Sequence, residues 1–373
     1  MYYLYIFNIF KQLNLIFNKY SIMTKSFLQL IILTFFFNYS LFSQNERKFK
    51  IHTVAFYNVE NLFDTINDPK KQDEKSPMMD ITYNRGGVYK QKIKNMARVI
   101  ADIGEDVTKK TPAIVGLSEV ENKEVIVDLI NDSSLSGIEY EIIHYESPDK
   151  RGIDVAMIYN KESFKPISTK SYELLIYDDQ TNKRIYTRDQ LLVSGNLEGD
   201  LIHIIVNHWP SRSGGEARSI SKRESAARLN KKIIDSLHSL DKNARIITMG
   251  DFNDNPMNNS IKGILGAKKN KEDVKIKEMY NPMEKILTNE GIGSNSYRDV
   301  WFLFDQVIIS KGLLGKDFSS YKFYKAGIFN KPYLTQKEGR YKGQPFRSFS
   351  YSKFTNGYSD HYPSFIYLIK EMK

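Results

Sequence analysis

The 373-residue sequence predicts an α/β fold in a single domain, and three observations carry that prediction. Short apolar runs of strand length recur along the chain, two longer amphipathic segments lie between them, and no linker rich in Pro, Gly or Ser divides the whole. Length alone is neutral, because chains of roughly 250 residues and more also fold as one α/β domain.

The first run, HTVAFYNV at 52–59, is built of the β-branched and aromatic residues that suit a strand. The runs AIVGLSEV (113–120), IDVAMIYN (153–160), LIHIIVN (201–207), RIITMG (245–250), DQVIIS (305–310) and PSFIYLI (363–369) are of the same kind. Between them, residues 89–103 place Ile93, Met96, Ala97, Ile100 and Ile103 on one face of a helix. A second helix is predicted over 221–239, opened by the capping box Ser221-x-x-Glu224. Residues 60–90 and 311–357 are polar and rich in Gly, Pro, Lys and Tyr, and read as long surface loops. There is no internal repeat, no heptad pattern and no low-complexity tract in this part of the chain.

The N-terminus is of another character. Residues 1–43 carry Lys11, Lys19 and Lys25 and no acidic residue. Lys25 supplies a positive n-region, residues 27–37 an apolar h-region, and Leu41-Phe42-Ser43 a small residue before Gln44, which is the layout of a secretory signal peptide. The apolar core is short for a membrane span. The expectation is a signal peptide at 1–43 with Met23 as a candidate true start, cleavage near Ser43, and a secreted or periplasmic domain over 44–373 with no stable span.

Removing 43 residues with three positive charges lowers the formal charge from +10 to +7. A basic surface favours anionic partners such as nucleic acid or phosphorylated metabolites. The absence of Cys excludes disulfides, a lipid-modified Cys and a thiolate metal site. Nothing points to an obligate protein partner, so a monomer is expected.

Function is read from where the polar residues fall. Asn58 and Glu60 end the first strand, Glu119 the second, Asn207 and His208 the fourth, and Asp251 and Asn253 the fifth, while Asp360 and His361 precede the last. Each alone is an ordinary solvated group or turn former. Oxygen donors and His at successive strand ends are a different matter, since strands hold side chains rigidly while loops leave room for a ligand.

These segments carry a resemblance. FYNVENLFD (56–64), GLSEVEN (116–122), RGIDVAMIYN (151–160), VNHWPSRSGGE (206–216), MGDFNDNP (249–256), FDQVIIS (304–310) and YSDHYP (358–363) resemble, in order, the motifs of the endonuclease/exonuclease/phosphatase superfamily. The resemblance runs from the first strand to the C-terminus. It implies a four-layer α/β sandwich, two packed mixed β-sheets flanked by helices, and hydrolysis of a phosphoester.

An oxygen-only set of Asn58, Glu60, Glu119 and Asp360 suits a hard cation, Mg²⁺ or else Mn²⁺ or Ca²⁺. By resemblance, Asp251 orients or deprotonates the attacking water, and Asn253 with His208 donates hydrogen bonds to the phosphate. His361 paired with Asp305 completes the catalytic set, family mechanisms dividing the acid and base roles differently. The carboxylate would fix the imidazole tautomer and raise its pKa. Asn207, Arg212, Arg218 and Arg223, within or just after the VNHWPSRSGGE segment, are the expected substrate-binding residues, with Lys222 and Arg228 nearby.

Nucleic acid is the expected substrate, because the chain is basic and residues 321–354 interleave Lys and Arg with aromatic rings. The same interleaving also describes a half-buried strand. A phosphatase or lipid phosphodiesterase of the same superfamily stays open as the alternative, as does a silent surface-binding protein.

Overall fold

The computed structural model describes residues 8–21, 23–25, 47–178 and 180–372. Residues 8–21 are helical and belong to a unit of their own, separate from the compact unit Phe49–Lys373. The h-region at 27–37 and the expected cleavage at Ser43 lie outside the described residues. Among the described residues no helix is long and apolar enough to cross a membrane.

Two six-stranded mixed sheets build the main unit. The strands of these two sheets are β1 (Phe49–Leu62), β2 (Ile114–Val120), β3 (Tyr140–His144), β4 (Asp154–Asn160), β5 (Phe164–Tyr172), β6 (Gln190–Leu197), β7 (Asp200–His208), β8 (Ile246–Asp251), β9 (Met279–Tyr280), β10 (Asp305–Ser310), β11 (Lys322–Ile328) and β12 (Ser364–Glu371). The first sheet runs β11-β12-β1-β2-β4-β3 and the second β9-β10-β8-β7-β6-β5. In each, one central pair is parallel, β1 with β2 and β7 with β8, and every other neighbour is antiparallel.

Period-two alternation sorts the side chains into layers. Val54, Phe56, Val206, Met249, Val307 and Ile366 point inward and join one core between the sheets. Their neighbours Ala55, Tyr57 and Val115 face out and pack on Ile93, Met96 and Ile100 of α1 (Arg85–Asp102) and on Val125 and Leu129 of α2 (Lys123–Ile130). On the far side, Ile205, Ile246 and Ile308 pack on Ala226, Ala227 and Ile234 of α3 (Glu216–Leu240). The result is helix, sheet, sheet, helix, the four layers that the resemblance implies.

Three expectations change. The second long helix starts at Glu216 behind Gly215, so Ser221 sits inside it and caps nothing at its start. The stretch 311–357 is not all loop, because Lys322–Ile328 adds an edge strand to β12. Tyr321, Phe323, Phe329 and Phe349 of that stretch are buried, so the half-buried strand describes it better than a row of exposed rings does.

Candidate active site

Asn58, Glu119, His208, Asp251, Asp305 and His361 gather where the parallel pairs end. Inward alternation explains most of this, since His208, Asp251 and Asp305 lie two residues along their strands from inward-facing Val206, Met249 and Val307. Register does the rest: Asp251 is the Cα partner of His208 on one side and of Asp305 on the other. On the first sheet Asn58 follows Val54 and Phe56 on the inward row, and its Nδ2 donates across the gap to Asp251 Oδ2 at 3.1 Å and to Glu119 Oε1 at 3.2 Å.

Glu119 arrives by another route. Strict alternation turns Ser118 inward and Glu119 away, but the pairing of β2 shifts register between Ser118 and Val120. At that bulge Glu119 takes a left-handed φ of 62°, and its carboxylate swings to the site. There Oε2 accepts from the Asn61 backbone N–H at 2.9 Å.

Asp251 Oδ2 is the focus. His208 Nε2 lies 3.7 Å from it and His361 Nε2 4.0 Å, while Oδ1 is held by the Asn253 N–H at 2.9 Å. Burial pushes the Asp251 carboxyl up to about 7; His361 opposes the rise, and Asp305 and Glu119 add to it. Burial works against charge on His361 as well, yet Asp305 Oδ2 at 2.7 Å from Nδ1, helped by Asp251 and Asp360, outweighs it and holds the ring protonated well above its ordinary range. His208 goes the other way, driven well below by burial and by the Arg188 guanidinium, so the two imidazoles sit in opposite protonation states at neutral pH.

Not every expected residue comes to this point. Glu60 turns its carboxylate away and accepts from the backbone N–H groups of Ser348 at 2.6 Å, Phe349 at 3.2 Å and Asp360 at 3.0 Å, tying down the loop before β12. Asn207 faces α3, where its Nδ2 donates to Thr248 Oγ1 at 2.9 Å and its Oδ1 accepts from Asn230 at 2.8 Å. Alternation forces this, because neighbours on a strand point to opposite faces. Arg223 is fully buried, its Nε 2.7 Å from Asp254, and that burial keeps it out of a substrate's reach. Arg218 is exposed on α3. Arg212 lies beside the site, its Nε donating to the Asn253 carbonyl at 2.9 Å. Asp360 is partly exposed, 4.0 Å from His361 Nε2. Asn253 stands at φ 51° and donates from Nδ2 to the Trp209 carbonyl at 3.0 Å, which leaves its second amide proton free.

Sequence reasoning misses the supports. Arg188, buried, donates to the Trp209 carbonyl at 2.6 Å and pairs with buried Asp149 at 3.1 Å, anchoring the segment after His208. Ser359 Oγ donates to the Asn58 carbonyl at 2.7 Å and accepts from the His361 N–H at 3.1 Å, binding the last loop to β1. Lys92 on α1, fully buried, reaches Ser348 Oγ at 2.6 Å. A charged residue inside an amphipathic face, as Lys92 is, was the one signal in the sequence.

The residues fit a hard divalent cation. Glu119, Asp251, Asp305 and Asp360 stand around a single protonated imidazole, and Asp305 and Glu119 add to the rise that burial imposes on Asp251. Asp251, Asp305 and His361 bring ligand atoms within 4.8 Å of one another, but Nδ1 of His361 is committed to Asp305 and its Nε2 bears a proton, so the carboxylate oxygens are the donors that remain. Such a site repels a phosphate unless a cation joins them.

Comparisons with known proteins bear on the family and the fold. The family model described as Endonuclease/Exonuclease/phosphatase family matches residues 53–370. Among solved structures, humanized TDP2 of D. rerio is 12% identical with a TM-score of 0.50 over 86% of this chain and 99% of that one. TDP2 of Caenorhabditis elegans is 13% identical with a TM-score of 0.50 over 85% of this chain and 74% of that one. These two likenesses support the fold. No curated protein matches significantly. With its four layers, its acidic and imidazole site and a match across nearly its whole compact unit, the chain belongs to the endonuclease/exonuclease/phosphatase family of divalent-metal-dependent phosphoester hydrolases.

Proposed function

We propose that the chain is an exported endonuclease that hydrolyses phosphodiester bonds of nucleic acid, its signal peptide at 1–43 removed near Ser43 and Mg²⁺ its cation, with Mn²⁺ or Ca²⁺ able to substitute. Glu119, with Asn58 and Asp360, would hold the ion. When bound it supplies charge neutralisation at the phosphoryl oxygens.

The remaining work falls to the chain's own residues. Asp251 Oδ2, poised near neutral pH, accepts the proton of the attacking water. Protonated His361 donates from Nε2 to a phosphoryl oxygen, with Asp305 fixing the ring through Nδ1. Neutral His208 and the free amide proton of Asn253 add hydrogen bonds without adding charge.

The observation that carries nucleic acid is the flank beside Asn253 and His361. A cavity of about 570 Å³ is lined there by Arg212, Tyr297, Phe302 and Phe304. The Arg212 guanidinium lies 4.7 Å from the Phe304 ring centre and 5.3 Å from that of Phe302. Asn295 of the same wall bridges to His361. Rings and a guanidinium beside a hydrolytic centre suit stacking against bases.

The test strips the purified chain with a chelator, restores Mg²⁺, Mn²⁺ or Ca²⁺ singly, and assays plasmid DNA, RNA, an aryl phosphodiester, an inositol phosphate and sphingomyelin in parallel. Metal-restored nicking of plasmid, with KM rising steeply with salt, is expected. Salt-insensitive turnover of a phosphomonoester alone, with no cleavage of DNA or RNA, moves the assignment to the phosphatase branch. N-terminal sequencing of the exported protein checks the cleavage near Ser43.

A further inference from the structure

Beside the segment that follows His208 the chain builds a second, cationic cleft. We propose that this cleft, of about 500 Å³, is a subsite for a non-scissile phosphate of the substrate, seated next to the bond that is cut. The proposal rests on the phosphodiesterase reading above and adds to it the recognition of a second phosphate.

Position comes first. Pro210 and Ser211 line the cleft and directly follow His208 and Trp209. Two residues of chain span at most about 7 Å, so the Pro210 end of the cleft lies within that distance of the His208 backbone.

Charge comes second. Lys150, Arg151, Arg184, Arg188 and Lys222 line the cleft, and Asp149 is its one acidic residue. That carboxylate is already matched by Arg188 Nη1 at 3.1 Å and Arg151 Nε at 3.3 Å. Arg184 also pairs with Glu173 outside the lining, so some of its charge is spent there. The balance stays strongly positive. Tyr186 braces the rim, with the Arg184 guanidinium 4.6 Å and the Lys150 ammonium 5.7 Å from its ring centre.

Unmet hydrogen-bonding capacity comes third. Thr187 and Arg188, in the wall of the cleft, are 3% and 4% exposed. Thr187 Oγ1 and Arg188 Nε each lack a protein partner, as does Arg184 Nε. Buried polar atoms are nearly always partnered, and these three share one wall and can all donate. A phosphate presents several acceptor oxygens and binds such donors through short, charge-assisted bonds. A nucleic-acid strand brings one at every residue; a multiply phosphorylated small ester brings the same chemistry from another source.

Steady-state kinetics on the full chain with Mg²⁺ test this. The variants are Lys222→Ala, Arg151→Ala and Thr187→Val, and the substrates are bis(p-nitrophenyl) phosphate, a thymidine dinucleotide with and without a terminal 5′-phosphate, a single-stranded 12-mer and an inositol bisphosphate. The KM penalty is expected to be at least ~10-fold larger for substrates with a second phosphate than for those with one, and the salt slope on the 12-mer to flatten by about one for each cation removed. Thr187→Val should not lower Tm, because it removes a buried hydroxyl that has no partner; a purely structural threonine would lower it.

Equal KM penalties on one-phosphate and two-phosphate substrates overturn the subsite. A penalty confined to the inositol bisphosphate keeps the subsite and assigns it to a small polyphosphate. If the wild type cleaves no nucleic acid at all, the endonuclease reading fails, and the subsite is then judged on the inositol arm alone.

Discussion

Replacing Arg223 with Met should cost stability and leave substrate binding alone. Arg223 is fully buried, its Nε 2.7 Å from Asp254 Oδ1 and its Nη1 2.7 Å from Ser219 Oγ. Methionine fills a comparable volume, so the lost term is the charge partner of a buried carboxylate rather than a cavity. Breaking such a pair costs about 3–5 kcal/mol. The low end applies, because Asp254 keeps Arg212 Nη2 at 3.2 Å and the Ser260 hydroxyl at 2.7 Å. A compact unit of roughly 325 residues unfolds with an entropy of about 0.7 kcal/mol per kelvin, so about 3 kcal/mol appears as a Tm drop of about 4 °C. Adding Asp254→Asn removes the stranded charge and should recover part of the loss, which a double-mutant cycle on Tm measures directly. The companion readout is the salt dependence of KM on an oligonucleotide, expected to stay at its wild-type slope. An unchanged Tm with a slope flattened by about one would refute the reasoning, for it would mean that the guanidinium meets phosphate rather than Asp254.

Three further outcomes follow from the geometry. Asp251→Asn should cut kcat at least ~100-fold on protein shown to be folded, while Tm holds or rises, because a buried carboxyl that burial already disfavours is neutralised; wild-type turnover would remove Asp251 from the chemistry. Gly250→Ala should destabilise by about 1–3 kcal/mol or more, since its Cβ would sit 2.3 Å from the Asn207 carbonyl oxygen, and a denaturant melt unchanged from wild type would contradict that contact. Burial opposes charge on Asp149, but Arg188 and Arg151 outweigh it and hold its carboxyl below the ordinary range. Its ionised form therefore adds stability above the unfolded pKa of about 3.9, and that share is lost as pH falls through the lower folded value. The Tm gap between wild type and Asp149→Asn should accordingly close between about pH 5 and pH 2, and a gap that is constant across that range would refute it.

The strands legible in the sequence were the central ones. β1, β2, β7, β8 and β10 are covered on both faces, so their apolar runs are nearly unbroken. β3, β5 and β11 are edge strands, and solvent on one side lets FKPISTKSY and KFYKAGI carry the polar residues that disguise them. β6 also went unread, although it is almost wholly buried, its run being broken by Gln190, Ser194, Gly195 and Asn196. At the site the same physics decides which residues could be read. His208, Asp251 and Asp305 follow from alternation, and Asn207 fails by it, one residue away and on the opposite face. Glu119 could not be placed by any period, because a bulge, rather than the strand, aims it. Arg223 and Arg212 look alike in the sequence and both reach Asp254; the inner face of α3 buries the first, while the second, in the loop before α3, stays at the rim.

The left-handed residues at this edge have a consequence for anyone who tries to improve the enzyme. Glu60, Asn61, Glu119 and Asn253 all hold φ between 49° and 62°, a conformation that costs each side chain about 1 kcal/mol relative to Gly. At the same edge the Asp251 carboxyl, pushed up by burial, would fold more readily as an amide. Selection for heat resistance alone would therefore reward changes at Glu119, Asn253 and Asp251, which carry the chemistry, as well as at Glu60 and Asn61, which hold the loops beside them. A thermostabilising library for this scaffold has to be screened for turnover from its first round, with these four positions and Asp251 held fixed and variation directed to the outer faces of α1 and α3.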